Sequence, residues 1–494
     1  MVDASRAQRT FAELQADLRA HLTERGISDL TEGTIVVLPS ITFPTEELRK
    51  IVGIARYEER LMCLLLWLRS PQLKMVFITS MPVDDAVLDY YLSFLPDPQD
   101  ARARLTMVSL EHPETRALSE KLLEEPSVVE RIRRHVAGGS AYLLPFNVTP
   151  AERAISEALG IPAYGPSPDL AELGSKSGAR KIARRAGVPV LEGSEDLYSL
   201  SDIDAAVDRL LERRPGTRSV VVKLNNGFSG QGNAIVDVTG RPATIDRLPT
   251  VFCASEESWS TFAPKLERDG GIVEELLYGP GLHSPSAQMR IVPHGEVELV
   301  STHDQILGGP DDQVYLGCRF PARSEYRLQI QDHALKIASE LASQGVIGTF
   351  GMDFLVTAPP GSNVFLSEIN LRMGGTTHPF LMARLATDGS YDGSSGSLMK
   401  DGTRKFYLAT DNLKSDAYRG LRPRDVISAI QGQGLGFSRD TRSGVLLHLL
   451  GALKDYGKLG MTCVGNSRAD AESLYDRAVV VIDALAEGVH SRPD

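Results

Sequence analysis

The stretch TFGMDFLVTAPPGSNVFLSEINLRM, residues 349–373, contains two apolar runs separated by the short loop sequence APPGS. Glu368, Asn370 and Arg372 occupy every second position of the second run, so a strand would place all three on one face. A carboxylate, an amide and a guanidinium are costly to bury on an apolar strand unless each has a partner. The stretch therefore predicts a β-hairpin with a polar, ligand-binding face.

The short loop predicts that the two strands of this hairpin are antiparallel. If the hairpin is symmetric about the bond between Pro360 and Gly361, Asp353 lies opposite Glu368, and cross-strand partners share a face. Asp353, Glu368 and Asn370 then form an oxygen-rich cluster that suits Mg²⁺, which normally also takes phosphate oxygens. Two facing carboxylates without a cation repel each other. A solvated charged patch is the alternative, but the apolar neighbours favour the metal site.

A glycine-rich turn separates two predicted strands within 220–238. Its glycines, Gly227, Gly230 and Gly232, follow the order GxxGxG, and a strand follows them. That order excludes a Rossmann fingerprint, and the missing GK[ST] excludes a Walker A loop. The backbone N–H groups of such a loop can wrap a phosphate, and a plain hairpin turn is the alternative.

Two lysines and one strand exit are further candidates for a nucleotide site. Lys223 ends the apolar strand before the glycine turn and favours an anion. Lys176 lies on a basic helix, and its local sequence favours an exposed surface lysine, since exposed helices are rich in lysines. IVEELLYG (272–279) is either a simple strand exit or a hinge. In a hinge, a backbone carbonyl and amide pair with a purine edge, and Leu277 packs on the ring.

The remaining chain shows alternating elements before this region and mixed elements after it. Strand signals at 34–42, 74–82, 105–111 and 140–148 alternate with helical stretches, which predicts a parallel α/β domain. Thr149 and Glu152 form a capping box that starts a helix ending near Gly160. Further predicted features are a helix over 325–345, a linker at 388–397, a turn at Asp401-Gly402 and a tail helix over 469–488 capped by Ser467.

Composition excludes several function classes. The chain has 494 residues and a net charge of -11, which argues against general nucleic-acid binding. Its four cysteines are far apart, which argues against a zinc site or a disulfide framework and favours a reducing cytoplasm. The N-terminus is an amphipathic helix pattern without a signal-peptide core, and the apolar run Leu61–Leu68 is too short to span a bilayer. We expect no membrane association.

The ordered set of motifs resembles the ATP-grasp superfamily of carboxylate–amine ligases. The order is Lys176, then Lys223 with the glycine loop, then the 274–277 hinge, then Asp353, Glu368 and Asn370. The resemblance implies an α/β and α+β protein in which a pre-ATP-grasp domain precedes two subdomains that hold ATP between them. The implied domains are a parallel α/β pre-ATP-grasp domain (1–165), an ATP-grasp domain (166–390) and a C-terminal region packed on its core (391–494).

Five further stretches are similar to the family of peptide ligases that acts in pheganomycin biosynthesis. They are HSPSAQMRI (283–291), STHDQILGG (301–309), YLGCRFPA (315–322), EINLRMGGTTHP (368–379) and GVLLHLLGALKDYGKLGMTCVG (444–465). Together they extend the resemblance over nearly the whole chain.

By position, the resemblance implies a role for each motif residue. For ATP, it assigns the phosphates to Lys176 and Lys223, the lid loop to Gly230 and Gln231, and adenine to Glu274, the carbonyl of Glu275 and the amide of Leu277. For the reaction, it assigns Mg²⁺ to Asp353, Glu368 and Asn370, and the carboxylate or acyl phosphate to Arg372. Gly281 stands where many members have a ribose-binding glutamate, so no ribose contact is assigned. Arg290 or Arg319 could replace a lysine that some relatives carry near 304–308.

The implied activity is ATP-dependent ligation in peptide natural-product biosynthesis. A small carboxylic acid is activated as an acyl phosphate and coupled to an amino acid or peptide amine, giving ADP and phosphate. A homodimer is compatible with this reading. The alternatives are an ATP-grasp kinase that phosphorylates a small molecule and a non-catalytic ATP-binding protein; the complete set Asp353, Glu368 and Asn370 argues against the latter.

Overall fold

The structure is a computed structural model that describes residues 9–21, 32–227, 232–241, 243–254, 256–277, 279, 281–308, 314–357 and 363–490. Its first part is a four-stranded parallel sheet with strand order β3-β2-β1-β4. The elements here are α1 (Phe11–His21), β1 (Glu32–Leu38), α2 (Thr45–Leu48), a 3₁₀ helix (Ile54–Arg69), β2 (Gln72–Thr79), α3 (Asp85–Leu92), α4 (Pro98–Ala103), β3 (Leu105–Ser109), α5 (Leu118–Leu123), α6 (Pro126–Val136), β4 (Ala141–Pro145) and α7 (Pro150–Leu159).

The predicted parallel α/β domain and the helix start after its last strand are confirmed. Residues 35–38 of β1 are fully buried, as expected for a parallel strand with helices on both faces of its sheet. Thr149 and Glu152 form the predicted capping box, and Gly160 ends α7 with φ +69°.

The second part is a five-stranded antiparallel sheet, called the small sheet, with order β5-β9-β6-β7-β8. The elements here are a 3₁₀ helix (Pro168–Gly174), α8 (Lys176–Arg185), β5 (Gly193–Leu197), α9 (Leu200–Arg213), β6 (Ser219–Leu224), β7 (Asn233–Asp237), a 3₁₀ helix (Ile245–Arg247), β8 (Thr250–Phe252), α10 (Trp259–Asp269) and β9 (Gly271–Glu275). Apolar residues of β6, β7 and β9 pack against α9 and α10, which leaves the helix-free face of the sheet for other contacts.

The third part is a ten-stranded antiparallel sheet, called the large sheet. Its order is β14-β13-β10-β11-β12-β17-β16-β15, with β19 paired to β17 and β18. The elements here are β10 (Pro285–Ile291), β11 (Val297–Gly308), β12 (Val314–Phe320), α11 (Arg327–Ser343), β13 (Gly348–Val356), β14 (Val364–Asn370), α12 (Thr377–Thr387), β15 (Ser390–Asp392), β16 (Ser397–Lys400), β17 (Thr403–Lys414), a 3₁₀ helix (Asp416–Tyr418), α13 (Pro423–Gly432), β18 (Gly444–His448), a 3₁₀ helix (Leu450–Ala452), α14 (Leu453–Tyr456), β19 (Lys458–Gly465) and α15 (Arg468–His490).

The predicted linker at 388–397 is wrong, because these residues contribute β15 and the start of β16 to the large sheet. The carboxylate of Asp392 accepts hydrogen bonds from Ser394 and Ser395, so the small polar residues fold a tight turn. The hydroxyl of Tyr391 donates to Gln331 on α11 at 2.9 Å, which attaches this turn to the core.

Other predicted elements of this part are confirmed. The helix predicted over 325–345 is α11, and Gly345 follows it with φ +84°. Asp401 and Gly402, with φ +47° and +75°, form the two-residue turn between β16 and β17. Ser467 accepts a hydrogen bond from the amide of Asp470 at 3.0 Å, as expected of the residue that caps α15.

One apolar core joins the first and third parts of the chain. It runs from the 3₁₀ helix Ile54–Arg69 through the large sheet to β19 and α15. At its centre, the rings of Phe320 and Tyr407 stack with centroids 4.9 Å apart. The three-domain division at 165 and 390 stays a prediction, and the large sheet continues across the second boundary. No helix in the described part of the chain combines the length and the apolar character that crossing a bilayer requires.

Candidate functional site

The hairpin of β13 and β14 has the predicted register. Asp353 pairs directly with Glu368, and Gly351 pairs with Asn370. A β-bulge at Ser367 restores this register, because nearer the loop the strands are offset by one residue. Nδ2 of Asn370 donates to Oδ2 of Asp353 at 2.9 Å, so both carboxylates and the amide belong to one cluster.

Arg372 lies beside the cluster but not on the strand, since β14 ends at Asn370. The predicted continuation of the strand to Met373 is therefore wrong: the backbone bends, and the amide of Arg372 donates to the carbonyl of Asn370 at 2.7 Å. Its guanidinium still reaches the cluster, because Nη2 of Arg372 donates to Oδ1 of Asn370 at 2.9 Å. The guanidinium carbon also lies 5.5 Å from the ring centre of Phe43, in the first part of the chain.

Lys176 faces the cluster from the first turn of α8. Its Nζ lies 2.9 Å from Oε1 of Glu368, and its side chain is only 8% exposed. The interpretation of Lys176 as an exposed surface lysine is therefore wrong. Two backbone hydrogen bonds connect the surrounding segments: the amide of Leu366 on β14 donates to the carbonyl of Pro189, which follows α8, and the amide of Lys176 donates to the carbonyl of Asn225, which follows β6.

Lys223, on β6, is close enough to Glu368 for their charges to interact, and a buried carboxylate, Glu274, balances its charge. Its Nζ lies 2.7 Å from Oε1 of Glu274, whose Oε2 accepts from Arg180 at 2.9 Å. Glu274 and Arg180 are both only 2% exposed. Arg180 also contacts Glu195, at 3.3 Å. Sequence reasoning missed Arg180, which looked like one more arginine of a basic helix.

The hinge leaves the small sheet after Glu275. The backbone amide of Glu275 donates to the carbonyl of Glu192 at 2.8 Å, and its side chain accepts from the Glu192 amide at 3.1 Å. Leu277 lies just beyond β9 and is half-buried. Gly230 and Gln231, the predicted lid residues, lie outside the described residues.

The electrostatics of the cluster favour a bound cation. Burial, together with the charge of Glu368, raises the pKa of Asp353 to about 7. Burial would also raise the pKa of Glu368, but Lys176 and Lys223 outweigh it and hold that pKa below its usual value. Burial acts to lower the pKa of Lys223, but Glu274 and Glu368 outweigh it, so that pKa is raised. Arg372 and Lys176 act against the rise in the pKa of Asp353 but do not offset its burial.

Gln305 is a further polar side chain at the cluster that sequence reasoning did not single out. Its Nε2 donates to Oδ1 of Asp353 at 2.7 Å, while its Oε1 accepts from the hydroxyl of Ser284 at 3.1 Å. The only available signal was its position in STHDQILGG, one of the stretches that carry the resemblance.

Arg290 is not part of the cluster around Asp353 and Glu368. It lies on β10 and forms an ion pair with Glu298, its cross-strand partner on β11. Both line a cavity of about 320 Å³ whose other walls include Trp67, Phe380 and Tyr391. Arg319 forms an ion pair with Glu472 at 2.9 Å and lines a different cavity.

Comparisons with known proteins give the same fold and a family. A family model described as "IQCH-like, ATP-grasp" matches residues 168–248 and 245–392, and one described as "PGM1 C-terminal domain" matches residues 425–478. Among solved structures, the chain is similar to a biotin carboxylase from Campylobacter jejuni, at 16% identity and a TM-score of 0.55, covering 93% of this chain and 95% of the other. It is also similar to an N5-carboxyaminoimidazole ribonucleotide synthetase, at 13% identity and a TM-score of 0.52, covering 92% of this chain and 97% of the other.

A curated relative covers almost the whole chain. The L-propargylglycine–L-glutamate ligase of Streptantibioticus cattleyicolor is 33% identical over an alignment 479 residues long, which covers 93% of this chain and 95% of the relative. The chain therefore belongs to the ATP-grasp superfamily of carboxylate–amine ligases, in the same family as that peptide ligase.

Proposed function

We propose that the protein uses ATP and Mg²⁺ to join a small carboxylic acid to the amine of an amino acid or peptide. The observation that carries the proposal is the direct pairing of Asp353 with Glu368, with Lys176 2.9 Å from the second carboxylate. Two carboxylates and two lysines are the charges needed for a metal-bound triphosphate.

The residues of the cluster fit Mg²⁺. The carboxylates of Asp353 and Glu368 and the amide oxygen of Asn370 are the oxygen ligands that Mg²⁺ prefers, and Asp353 and Glu368 lie directly opposite each other. When bound there, Mg²⁺ supplies charge neutralisation for the phosphates. We assign adenine to the hinge at Glu274, Glu275 and Leu277.

The lysines and Arg372 carry the steps that this chain performs. Lys176 and Lys223 neutralise the phosphates while an oxygen of the acid's carboxylate bonds to the γ-phosphorus and the bond to ADP breaks. Arg372 holds the carboxylate and then the acyl phosphate, because its planar guanidinium can donate two parallel hydrogen bonds to either group. The amine nitrogen then bonds to the acyl carbon, phosphate leaves with the electron pair, and the amine's extra proton goes to solvent. The lid at Gly230 and Gln231 is proposed to exclude water meanwhile.

The substrates are proposed from the relative. Because that protein is named an L-propargylglycine–L-glutamate ligase, L-glutamate and α-amino acids with small apolar side chains are the first acids and amines to test. We also propose a cytoplasmic location: the four cysteines all lie in the described part of the chain, and none forms a disulfide.

The test is release of ADP from ATP with purified protein, Mg²⁺ and a matrix of acids and amines. A ligase releases ADP rapidly only when both partners are present and yields an amide that mass spectrometry detects. A kinase would release ADP without any amine and yield a stable phosphate ester. Absence of ADP release across the matrix, with ATP binding intact, would leave an ATP-binding protein without this activity.

A further inference from the structure

A second group of charged side chains lies largely buried between the 3₁₀ helix Ile54–Arg69 and the strands β17 and β19. It is called the basic cluster and consists of Arg60, Tyr57, Asp411 and Lys458. The guanidinium carbon of Arg60 lies 4.0 Å from the ring centre of Tyr57, and Nη2 of Arg60 lies 2.7 Å from Oδ2 of Asp411. Nζ of Lys458 donates to the Tyr57 hydroxyl at 2.5 Å.

Asp411 is the carboxylate of this cluster, and both of its oxygens already face nitrogen atoms of neighbouring side chains. Besides Arg60, its partners are Nε2 of His378 at 2.9 Å and Nδ1 of His448 at 3.2 Å. Burial lowers the pKa of His378 to about 4, although Asp411 opposes this, so that imidazole is neutral. Because the Arg60 guanidinium occupies the second oxygen of Asp411, His378, Asp411 and His448 are better suited to holding Arg60 than to binding a metal cation.

Lys458 adds a buried positive charge that no carboxylate balances directly. It is only 6% exposed, and the acceptors of its ammonium are neutral, Tyr57 and Oδ1 of Asn412 at 2.9 Å. Its direct cross-strand neighbour is another cation, Lys414. Burial, with the charge of Arg60, lowers the pKa of Lys458 to about 8. A partly uncompensated buried ammonium is destabilising in the ligand-free protein.

The basic cluster is connected to the segment that carries Arg372. Its carboxylate, Asp411, lies 2.9 Å from Nε2 of His378, which belongs to the first turn of the helix α12 that follows Arg372. In keeping with this, burial lowers the pKa of Arg372, Asp353 and Glu368 oppose the lowering, and the charge of Arg60 adds to it. Nε of Arg60 is buried and has no hydrogen-bond partner among the described residues. Arg60 and Lys458 both lie over the ring of Tyr57, at 4.0 and 4.9 Å from its centre, and Asp411 is the carboxylate paired with Arg60.

We propose that Arg60 and Lys458 bind a carboxylate of a substrate other than the one that becomes the acyl phosphate, with Asp411 and the two histidines holding Arg60 in place. The proposal rests on the proposed function. It makes a substrate with a second, unreacting carboxylate the preferred class. That carboxylate belongs either to a dicarboxylic acid or to an amino-acid amine, and the experiment separates these sources.

The test replaces Lys458, whose neutral partners make its loss compatible with folding. Lys458→Gln keeps two N–H donors but removes the charge. Lys405→Gln is the matched control: Lys405 lies on the neighbouring strand β17, is only 3% exposed, and donates to the Thr441 carbonyl and to Oδ1 of Asn466. Each protein is assayed with L-glutamate against its two mono-amides as the acid, and with an α-amino acid against its carboxamide as the amine.

We expect Lys458→Gln to lower kcat/KM at least about tenfold for substrates with the recognised carboxylate, with less than about threefold change for the matching amide and for the KM of ATP. If the acid carries the recognised carboxylate, only the preference for L-glutamate over one of its mono-amides falls. If the amine carries it, only the preference for the α-amino acid over its carboxamide falls. Thermal stability of the variant should equal or exceed that of the wild type. Equal losses on acids and amides, or the same profile in Lys405→Gln, would overturn the proposal.

A binding measurement separates this proposal from the proposed function. Titration calorimetry with L-glutamate, its mono-amides, and the α-amino acid with its carboxamide needs no turnover. At least tenfold tighter binding of a carboxylate than of its amide to the wild type, lost in Lys458→Gln, supports the carboxylate site even if no ligation is found. The same affinities in both proteins would refute it even if ligation is found.

Discussion

Lys176 and Glu368 form an ion pair across the gap between α8 and β14, with Nζ 2.9 Å from Oε1. The proposed phosphate ligand and the proposed metal ligand thus neutralise each other in the ligand-free protein. Binding of ATP with Mg²⁺ would replace one pair by two, Glu368 with the metal and Lys176 with a phosphate. The ion pair keeps both charged groups in place before the ligands arrive.

Lys176→Met should lower kcat/KM for ATP about 10²-fold, because one positive charge on the phosphates is lost. Lys181→Met is the control, since Lys181 lies on the same helix but is 41% exposed and pairs with Asp196. Steady-state kinetics with varied ATP measures both. Indistinguishable kinetics for the two variants would contradict a phosphate contact by Lys176.

Glu368→Gln and Asp353→Asn should each lower turnover about 10³-fold or more, because a metal ligand and its charge are lost. The Mg²⁺ concentration that gives half-maximal rate should rise in parallel. Glu340→Gln, which removes a carboxylate paired with Arg185, should leave both quantities unchanged. Wild-type turnover in Glu368→Gln would remove the metal assignment.

Arg372→Lys should raise KM for the acid, or lower kcat, about tenfold or more, while the KM of ATP changes little. A lysine keeps the charge but cannot make paired contacts to a carboxylate. If Arg372 is only structural, the variant should instead lose thermal stability, and all kinetic constants should change together. Arg185→Lys on α8, at a half-exposed ion pair, is the control.

Glu274→Gln should lower the free energy of unfolding by about 3 kcal/mol, because Arg180 and Lys223 would lose their shared buried counter-charge. Denaturant unfolding at neutral pH measures this change. Glu275→Gln is the comparison: its half-buried carboxylate accepts one backbone N–H, so its loss should cost about 1 kcal/mol. If Glu274→Gln lowered the free energy of unfolding as little as Glu275→Gln does, other groups would have to balance the charges of Arg180 and Lys223.

The pH dependence of stability should be partly due to Glu59. Burial raises its pKa from 4.5 to about 7, against the opposing effects of the Gly451 amide and Arg56. The folded state therefore holds this proton more tightly than the unfolded state does, and that stabilisation is lost as pH rises through about 7. Glu59→Gln cannot ionise, so its loss of stability between pH 5 and pH 8 should be smaller by about 1–3 kcal/mol.

Denaturant unfolding of both proteins across this pH range measures the difference. Glu120→Gln, at a carboxylate that is 43% exposed, is the control and should leave the wild-type slope unchanged. A Glu59→Gln slope equal to that of the wild type would refute the assignment.

The parts of the fold that follow local rules could be predicted from the sequence. Side-chain alternation and a short loop were enough to pair Asp353 with Glu368, although the bulge at Ser367 was not foreseen. The misread segment at 388–397 shows the limit, since small polar residues favour linkers and tight turns equally. Its pairing within the large sheet and its contacts with Gln331 on α11, made by Tyr391 and the carbonyl of Gly393, decide between them.

The contacts between distant segments could not be predicted from one sequence. Arg180 meets Glu274 94 residues later, and Asp411 meets Arg60, His378 and His448 from separate elements. Each of these residues has an ordinary local context, and its role depends on packing that brings the segments together. Motif order was enough to propose a nucleotide site, but the basic cluster has no motif.

The large sheet limits how this protein can be recombined with its relatives. Strands β12 and β17 pair across the boundary at 390, from Gly317 with Thr410 to Phe320 with Tyr407. At Gly317 the two backbones are so close that a Cβ would lie 2.2 Å from the carbonyl oxygen of Ala409. A chimera joined near residue 390 would have to pair β12 of one protein with β17 of another. A chain cut there would leave the edge of β12 unpaired, which favours aggregation. The whole large sheet is therefore the unit that can be exchanged between relatives. A new substrate preference would have to be transferred together with the hairpin of β13 and β14, which belongs to the same sheet.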